Sequence, residues 1–214
     1  MANLYGLADF ADLLGVASVK WSIQRNDELS GLGDGRVWQA ELAPPIWTGD
    51  VALVAMRDQE AKQIAALIRA LNGAQDTFLF TDPRSCYPQS DPGGLILGSA
   101  QVTVNSIAAD RRNIRFKGLP ARYSFAPGDK FAITYGDDRV AFHEISVFGI
   151  AGATGISPLM RVFPNLPTGI VADMAVTLLR PACKCIIFPD SHDVGTSDSE
   201  GFVKDQTFRV IQKK

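Results

Sequence analysis

The stretch ASVKWSIQRNDELSGLGDGRVWQAEL, residues 17–42, decides the fold class of this chain. In its first part, Val19, Trp21 and Ile23 alternate with polar residues, which is the period of a half-buried β-strand. The segment RVWQAEL alternates in the same way. The polar loop NDELSGLGDG (26–35) between them contains glycines suited to the positive φ values of a turn, and its segment GLGDG (31–35) lacks the Lys and Ser/Thr of a phosphate-binding loop. The stretch therefore predicts two β-strands that pair through a turn.

A pair of prolines interrupts this pattern. Pro44 and Pro45 precede the segment 50–56, which reads as a third strand. Proline has no N–H to donate to a sheet ladder, so both prolines are predicted to lie outside the strand or at a sheet edge. We therefore expect the sheet to end there, with Trp38 and Trp47 flanking that end.

A clear helix follows the third strand. Apolar residues recur at helical spacing, with Asp58 at the N-cap position and Gly73 where a C-cap belongs. This pattern predicts a helix over 59–72, and a strand over 77–80 after it. A shorter amphipathic helix is predicted over 7–14. The face of the longer helix that we expect to pack against the first sheet consists of Ile64, Ile68 and Leu71.

The second half of the chain predicts a small all-β unit, a barrel or a sandwich. Short alternating segments are separated by glycine-containing turns, which is typical of such folds. The predicted strands cover residues 101–107, 112–117, 130–135, 139–148, 157–162 and 174–179.

The predicted fold is mainly β and has two structural units. Residues 1–94 form an antiparallel β-sandwich with one packed helix, and the turn-rich stretch 82–94 reads as a linker. Residues 95–182 form the small all-β domain. Because an unpaired strand at the end of the chain would leave N–H and C=O groups without partners, we expect residues 183–214 to complete the first unit. The second unit is then an insertion into the first.

Composition excludes several classes of function. The 214 residues are 46% hydrophobic and 21% charged, with a net charge of 21 − 23 = −2 and no basic cluster, so electrostatic binding to nucleic acid is not predicted. No run of about 18 apolar residues predicts a membrane span, and the N-terminus does not resemble a signal peptide. Three cysteines, an odd number, favour a reducing cytosol over a disulfide framework.

The residues that could carry acid–base chemistry predict no catalytic site. His143 and Glu144 are neighbours in an alternating run, so their side chains point to opposite faces, and we interpret His143 as a strand residue on a mixed surface. Ser191, His192 and Asp193 have the residue types of a catalytic triad, but adjacent residues cannot align nucleophile, base and orienting acid.

No metal or cofactor site is predicted either. Cys183 and Cys185 share one face of a strand, and we interpret them as small apolar side chains, since structural zinc takes four ligands. Asp137 and Asp138 lack the regular alternation of a calcium loop, so they are interpreted as a solvated hairpin turn.

Three stretches, taken together, resemble the distal tail proteins of tailed bacteriophages and their prophage relatives. They are SIQRNDELSGLGDGRVWQAELAPPIWTGDVAL, EAKQIAALIRALNGAQDTFLFTDPR, and LPARYSFAPGDKFAITYG followed later by TLLRPACKCIIFPD. In that family a strand ending in Trp, a helix and a strand of the form F-x-x-x-D-P belong to the ring-forming domain. The matching positions here are Trp47, 59–72 and 78–83. A G-L-P-A segment followed by P-G-D, here 118–121 and 127–129, resembles the start of the extra β-domain of many members.

The resemblance implies a structural protein of the virion tail tip, made in the cytoplasm of the bacterial host. Distal tail proteins form a ring, usually a homohexamer, that joins the tail tube protein to the hub or baseplate protein and the host-recognition apparatus. DNA passes through the lumen of the ring without specific binding, and no membrane insertion or enzymatic activity is implied. In such a ring Trp38 and Trp47 could bury against the next subunit, because Trp is a frequent interface anchor. The alternative is that Trp47 packs on its own helix.

Two other functions would require particular side chains in this sequence. A carbohydrate-binding module that attaches the tail tip to host surface glycans needs exposed aromatic side chains beside polar groups. Tyr123, Phe125 and Tyr135 are the residues that could supply them. A peptidoglycan hydrolase needs a Cys/His or Glu constellation, which the sequence lacks.

Overall fold

The computed structural model describes residues 3–31 and 35–214. The centre of the predicted GLGDG turn, residues 32–34, lies outside them. The described chain is mainly β and contains one α-helix, α1 (Asp58–Ala70), and two short 3-10 helices, Ala11–Leu13 and Pro83–Ser85. The strands are β1 (Leu4–Tyr5), β2 (Val16–Gly31), β3 (Val37–Leu53), β4 (Met56–Arg57), β5 (Thr77–Thr81), β6 (Thr103–Ile107), β7 (Asn113–Lys117), β8 (Ser124–Phe125), β9 (Lys130–Tyr135), β10 (Arg139–Ile145), β11 (Gly149–Ile150), β12 (Met160–Phe163), β13 (Ala182–Ile187), β14 (Thr196–Ser197), β15 (Phe202–Lys204) and β16 (Thr207–Gln212).

Two larger sheets and two small ones hold these strands. The first sheet has six strands in the order β1-β5-β13-β16-β3-β2, and the second has five in the order β6-β7-β12-β10-β9. Only the β1–β5 pair is parallel among the described strand pairs. The small sheets are β11-β8 and β14-β15-β4. The predicted fold class, a mainly β protein with antiparallel sheets and one helix, is confirmed.

The chain leaves the first sheet after β5 and returns to it with β13. β13 pairs with β5 and with β16, and β16 also pairs with β3. The strand at the end of the chain therefore pairs inside the first sheet. One hydrophobic core lies against each of the larger sheets, but three residues of β9 and β10 belong to the core of the first sheet. These residues are Ala132, Val140 and Phe142. The precise division into two units therefore stays a prediction.

The longest structural feature is the hairpin of β2 and β3, which pair from Val16↔Leu53 to Gly31↔Val37. Residues 26–31, predicted as part of the polar loop, belong to β2 instead, because they pair with β3 along their whole length. The prediction of two separate strands on either side of the prolines is wrong, because β3 runs through them. The pairing with β2 shifts register opposite the prolines, between Gln24 and Asn26, and a bulge of this kind leaves residues without a ladder partner. β16 pairs with β3 only at Thr48–Ala52, so Pro44 and Pro45 need no N–H on that side either.

Helix α1 is close to its prediction. It begins at Asp58 rather than after it, and Arg57 is the N-cap, with its backbone N–H donating to Glu60 Oε2 at 3.3 Å. Ile68 and Leu71 are buried against the first core, while Ile64 is partly buried. The predicted N-terminal helix over 7–14 is wrong: only a 3-10 turn forms. Within the described residues, no helix has the length and apolar character needed to cross a membrane.

The second half also departs from the predicted strands at particular places. The predicted strand over 174–179 is replaced by isolated bridges, Thr103↔Ala175 and Ala132↔Thr177. The stretch 82–94, predicted as a linker, packs closely against the second half of the chain. The carboxylate of Asp91 accepts the backbone N–H groups of Ile96 and Leu97 at 2.9 and 2.8 Å. A segment with these buried contacts holds a defined conformation.

Candidate interaction surface

A two-stranded arm projects from the first sheet. We define the arm as residues 25–31 of β2 and 37–43 of β3. The last pair between β16 and β3 is Ile211↔Thr48, so beyond this point β3 has only β2 beside it among the described strands. A strand rises about 3.3 Å per residue, so the arm from Val37 to Ala43 is about 20 Å long.

The arm carries large apolar side chains that its own chain does not cover. Leu29, Val37, Trp38 and Leu42 are 66–69% exposed. Because Ser30 pairs with Trp38 and side chains alternate along a strand, Trp38 and Leu42 lie on one face and Leu29 and Val37 on the other. A hairpin of two strands is marginally stable by itself, and an exposed apolar patch on a projection is typical of a binding surface.

The polar residues of the arm differ between its two faces. On the Leu29 face, Arg25 Nε donates to Asp27 Oδ2 at 2.7 Å, and Gln39 Nε2 donates to the same oxygen at 2.6 Å. This network joins the two strands. On the Trp38 face, the exposed Glu28 pairs with Ala40 across the strands and has no ion pair within the described part of the chain. The Trp38 face therefore combines apolar area with one free negative charge.

Trp47, the other tryptophan predicted at a subunit interface, lies in the core instead. Its side chain is 4% exposed, and its indole N–H donates to the carbonyl oxygen of Phe142 at 2.9 Å. The rings of Trp21 and Phe142 make edge contacts with it, at centroid distances of 6.1 and 5.5 Å. The expectation that Trp47 reaches a second subunit is corrected: the second sheet covers the place where it would have been exposed. Trp38 stays a predicted interface residue.

A buried ion pair lies beside Trp47. The ammonium of Lys130 on β9 contacts the carboxylate of Asp82, and both side chains are nearly inaccessible to solvent, at 6% and 5% exposed. The Lys130 nitrogen also lies 4.9 Å from the centroid of the Trp47 ring, which is a cation–π distance. Asp82 accepts the backbone N–H of Arg84 at 3.0 Å. The pair joins the stretch after β5 to the second sheet, which is a structural role.

His143 is buried rather than on a mixed surface, so that interpretation is corrected. Its Nδ1 lies 2.8 Å from the carbonyl oxygen of Pro164, and its ring stacks on Phe131 at 5.6 Å. Burial lowers the pKa of His143 to about 4, so the ring is neutral at pH 7. Glu144 is the next residue of β10 and points to the other face, so the two groups cannot share a proton.

The Ser191–Asp193 segment does not align as a triad. Ser191 Oγ donates to the carbonyl oxygen of Phe188 at 2.7 Å and accepts the backbone N–H of Arg209 at 3.0 Å. Asp193 Oδ1 accepts the backbone N–H of Gly195 at 2.9 Å. The side chains of Ser191 and Asp193 therefore stabilise the conformation of the loop through hydrogen bonds to backbone groups.

The cysteines have the environment of apolar core residues. Cys183 and Cys185 are fully buried and Cys86 is partly buried, and burial raises the pKa of the Cys183 thiol. Within residues 3–31 and 35–214, no group of three or more His, Cys, Asp or Glu side chains is placed to hold a metal ion. Asp137 and Asp138 lie in the turn between β9 and β10, as predicted.

The aromatic residues considered for a sugar platform are mostly inaccessible. Tyr123 is 2% and Phe125 0% exposed, both in the core of the second sheet, while Tyr135 is partly buried. Tyr123 and Phe125 therefore pack in the core and cannot form an exposed sugar platform. Among the elements that the structure describes, the β2–β3 hairpin carries the most exposed large apolar side chains. The chain matches no protein-family model, and no curated protein matches it significantly.

Proposed function

We propose that this protein is a structural component of a bacteriophage tail tip. In this proposal copies of the chain form a ring, a homohexamer, that connects the tail tube protein to the hub or baseplate protein and the host-recognition apparatus. The resemblance of three stretches of sequence supports it, and so does the arm. The arm is the observation that carries the proposal, because four large apolar side chains on a projecting hairpin need a partner to cover them.

A ring of identical subunits is a physically suitable partner. A cyclic assembly joins one surface of each copy to a different surface of the next, and the contact repeats until the ring closes. A projecting element suits such a contact because it reaches the neighbour without changing the body of its own subunit. The protein acts by shape and self-association, without catalysis or a cofactor. The net charge of −2 supports passage of DNA through the lumen without specific binding.

Synthesis in the bacterial cytoplasm and residence in the virion follow from the same proposal. All three cysteines are free thiols, which suits a reducing compartment during synthesis. The ring then enters the particle between tube and hub, where folded subunits need only their exposed surfaces to assemble.

The test is a double substitution on one face of the arm, Trp38→Ser with Leu42→Ser. Both side chains are exposed, at 68% and 69%, so the double variant should fold and melt like the monomeric wild type. The assembled wild type should melt at a higher temperature, because assembly stabilises the folded state. The wild-type protein is expected to form rings in negative-stain images and a multimer in light scattering, and the double variant a folded monomer. The matched control is Phe148→Ser, which removes an aromatic side chain that is 65% exposed outside the arm. This control should still form rings.

Two results would contradict the proposal. One is a wild-type protein that stays monomeric at its highest soluble concentration. The other is a double variant that assembles like the wild type, which would remove the arm from the contact.

A further inference from the structure

We propose that the Trp38 face of the arm docks into the groove between α1 and the segment 194–206 of a second copy of this chain. This inference rests on the proposed self-assembly and names the two surfaces that meet. The groove is lined by the exposed side of α1 and by the β14–β15 hairpin that packs beside it.

The floor of the groove is apolar and shallow because it is built from small side chains. Ala61 and Ala65 of α1 and Val203 of β15 are buried there. Val194 stands at the side of the groove and is 48% exposed. A helix that presents alanines leaves room above them for a large flat side chain. The large apolar side chains of Trp38 and Leu42 fit the room that the small side chains of this floor leave.

The charges of the two surfaces are complementary. Lys62 and Arg69 line the groove and have no ion pair within the described residues. Asp58 also lines it and keeps its negative charge while its Oδ1 accepts a hydrogen bond from Ser197 Oγ at 2.8 Å. The charged residues of the groove therefore sum to 2 − 1 = +1. The Trp38 face of the arm carries the unpaired Glu28. Opposite charges across an interface set its orientation, and like charges there are costly.

Arm and groove lie at opposite ends of the first sheet. The arm starts where β3 passes Thr48, whereas the β14–β15 hairpin leads into β16 beside Ala52, at the other end of β3. Helix α1 follows β3 and β4 at that same end. One copy therefore cannot fill its own groove with its own arm. A contact between two different surfaces at opposite ends is head-to-tail, the geometry from which closed rings are built.

The first experiment exchanges the charges. Glu28→Lys alone and Lys62→Glu alone should each weaken self-association by about tenfold or more. The two changes together should restore association, and all three proteins should keep the circular dichroism spectrum of the wild type because both residues are exposed. Lys20→Glu is the control, since Lys20 lies in a different groove of the first sheet and should have no effect.

The second experiment tests proximity with cysteines placed at exposed positions. Ser30 pairs with Trp38 and shares its face, so Ser30→Cys leaves Trp38 in place. A protein with both Ser30→Cys and Val194→Cys should give a ladder of covalent oligomers with a short bismaleimide linker. Mixing the two single variants should stop at dimers, and each single variant alone should give no such product.

The outcomes separate this inference from the proposed function. Rings that form normally but neither crosslink at these positions nor respond to the charge exchange would overturn the docking site and leave the ring standing. Rescue of Glu28→Lys by Lys20→Glu would place the arm in the other groove and overturn it too. A wild-type protein that never self-associates would remove both proposals.

Discussion

The buried ion pair between Lys130 and Asp82 gives the sharpest prediction about stability. Lys130→Met keeps an unbranched apolar stem of similar length but leaves the carboxylate of Asp82 buried without its cation. Removing one partner of a buried pair costs about 3–5 kcal/mol of unfolding free energy. For a chain of this length, each kcal/mol lowers the melting temperature by about 2–4 °C. We therefore expect the variant to melt about 6–20 °C below the wild type.

The double-mutant cycle with Asp82→Asn isolates the interaction. Asn keeps an oxygen that can accept the Arg84 N–H, and it leaves no buried charge when Lys130 is Met. The double variant should therefore be more stable than Lys130→Met alone. The matched control is the exposed pair Lys117–Asp173, with side chains 38% and 76% exposed, where the same kind of cycle should give a coupling of less than about 1 kcal/mol.

The assay is denaturant unfolding of all variants at one protein concentration, since self-association would otherwise shift the apparent stability. If the two single substitutions at Lys130 and Asp82 simply added in the double variant, the pair would have no coupling. The reasoning from its burial would then be refuted.

Trp47→Ala should lower the unfolding free energy of the monomer by about 3–5 kcal/mol, whereas Trp38→Ala should leave it unchanged. Equal effects in denaturant unfolding of the two monomeric variants would contradict the core assignment of Trp47. Ile68→Asp should unfold or aggregate the protein, because it places a charge in the first core. The control Lys62→Ala should leave circular dichroism and melting unaltered. A soluble Ile68→Asp protein that melts normally would contradict the packing of α1. The pKa of His143 is about 4 in the fold, below its ordinary value of 6.5, so the unfolded state binds its proton first as the pH falls. The wild type should therefore lose up to about 3 kcal/mol between pH 6.5 and pH 4 relative to its stability at pH 7. His143→Gln should lack this contribution, and parallel stability curves for the two proteins would show that it is absent.

Local sequence patterns predicted the elements whose cause is local. The alternation around Trp21 predicted the first part of β2, and the RVWQAEL segment predicted the first part of β3. Residues 26–31 of β2 have no apolar alternation and read as a loop, so their pairing with β3 was not predicted. The helical spacing with acidic residues at its start predicted α1, because one apolar face and a favourable first turn are sufficient signals for a helix. The opposite orientation of His143 and Glu144 also followed directly from the geometry of a strand.

Only the tertiary structure decided which residues of these elements are paired, buried or exposed. Pro44 and Pro45 stay inside β3 because a bulge in the pairing with β2 and the early end of β16 remove the need for their N–H groups. No local pattern encodes where a neighbouring strand ends. The same limit applies to the predicted strand over 174–179, which gives single bridges because its partner strands approach it at isolated points.

The two tryptophans show the division most clearly. Trp38 and Trp47 both lie in β3 next to apolar neighbours, so the local sequence predicts the same degree of burial for both. In the fold, the second sheet brings Phe142 and Lys130 onto Trp47, whereas nothing in the described chain covers Trp38. Alternation determines which face of a strand a side chain is on, because that depends only on the backbone period. Whether that face is buried depends on residues far away in sequence, so only the packing of the two sheets decided it.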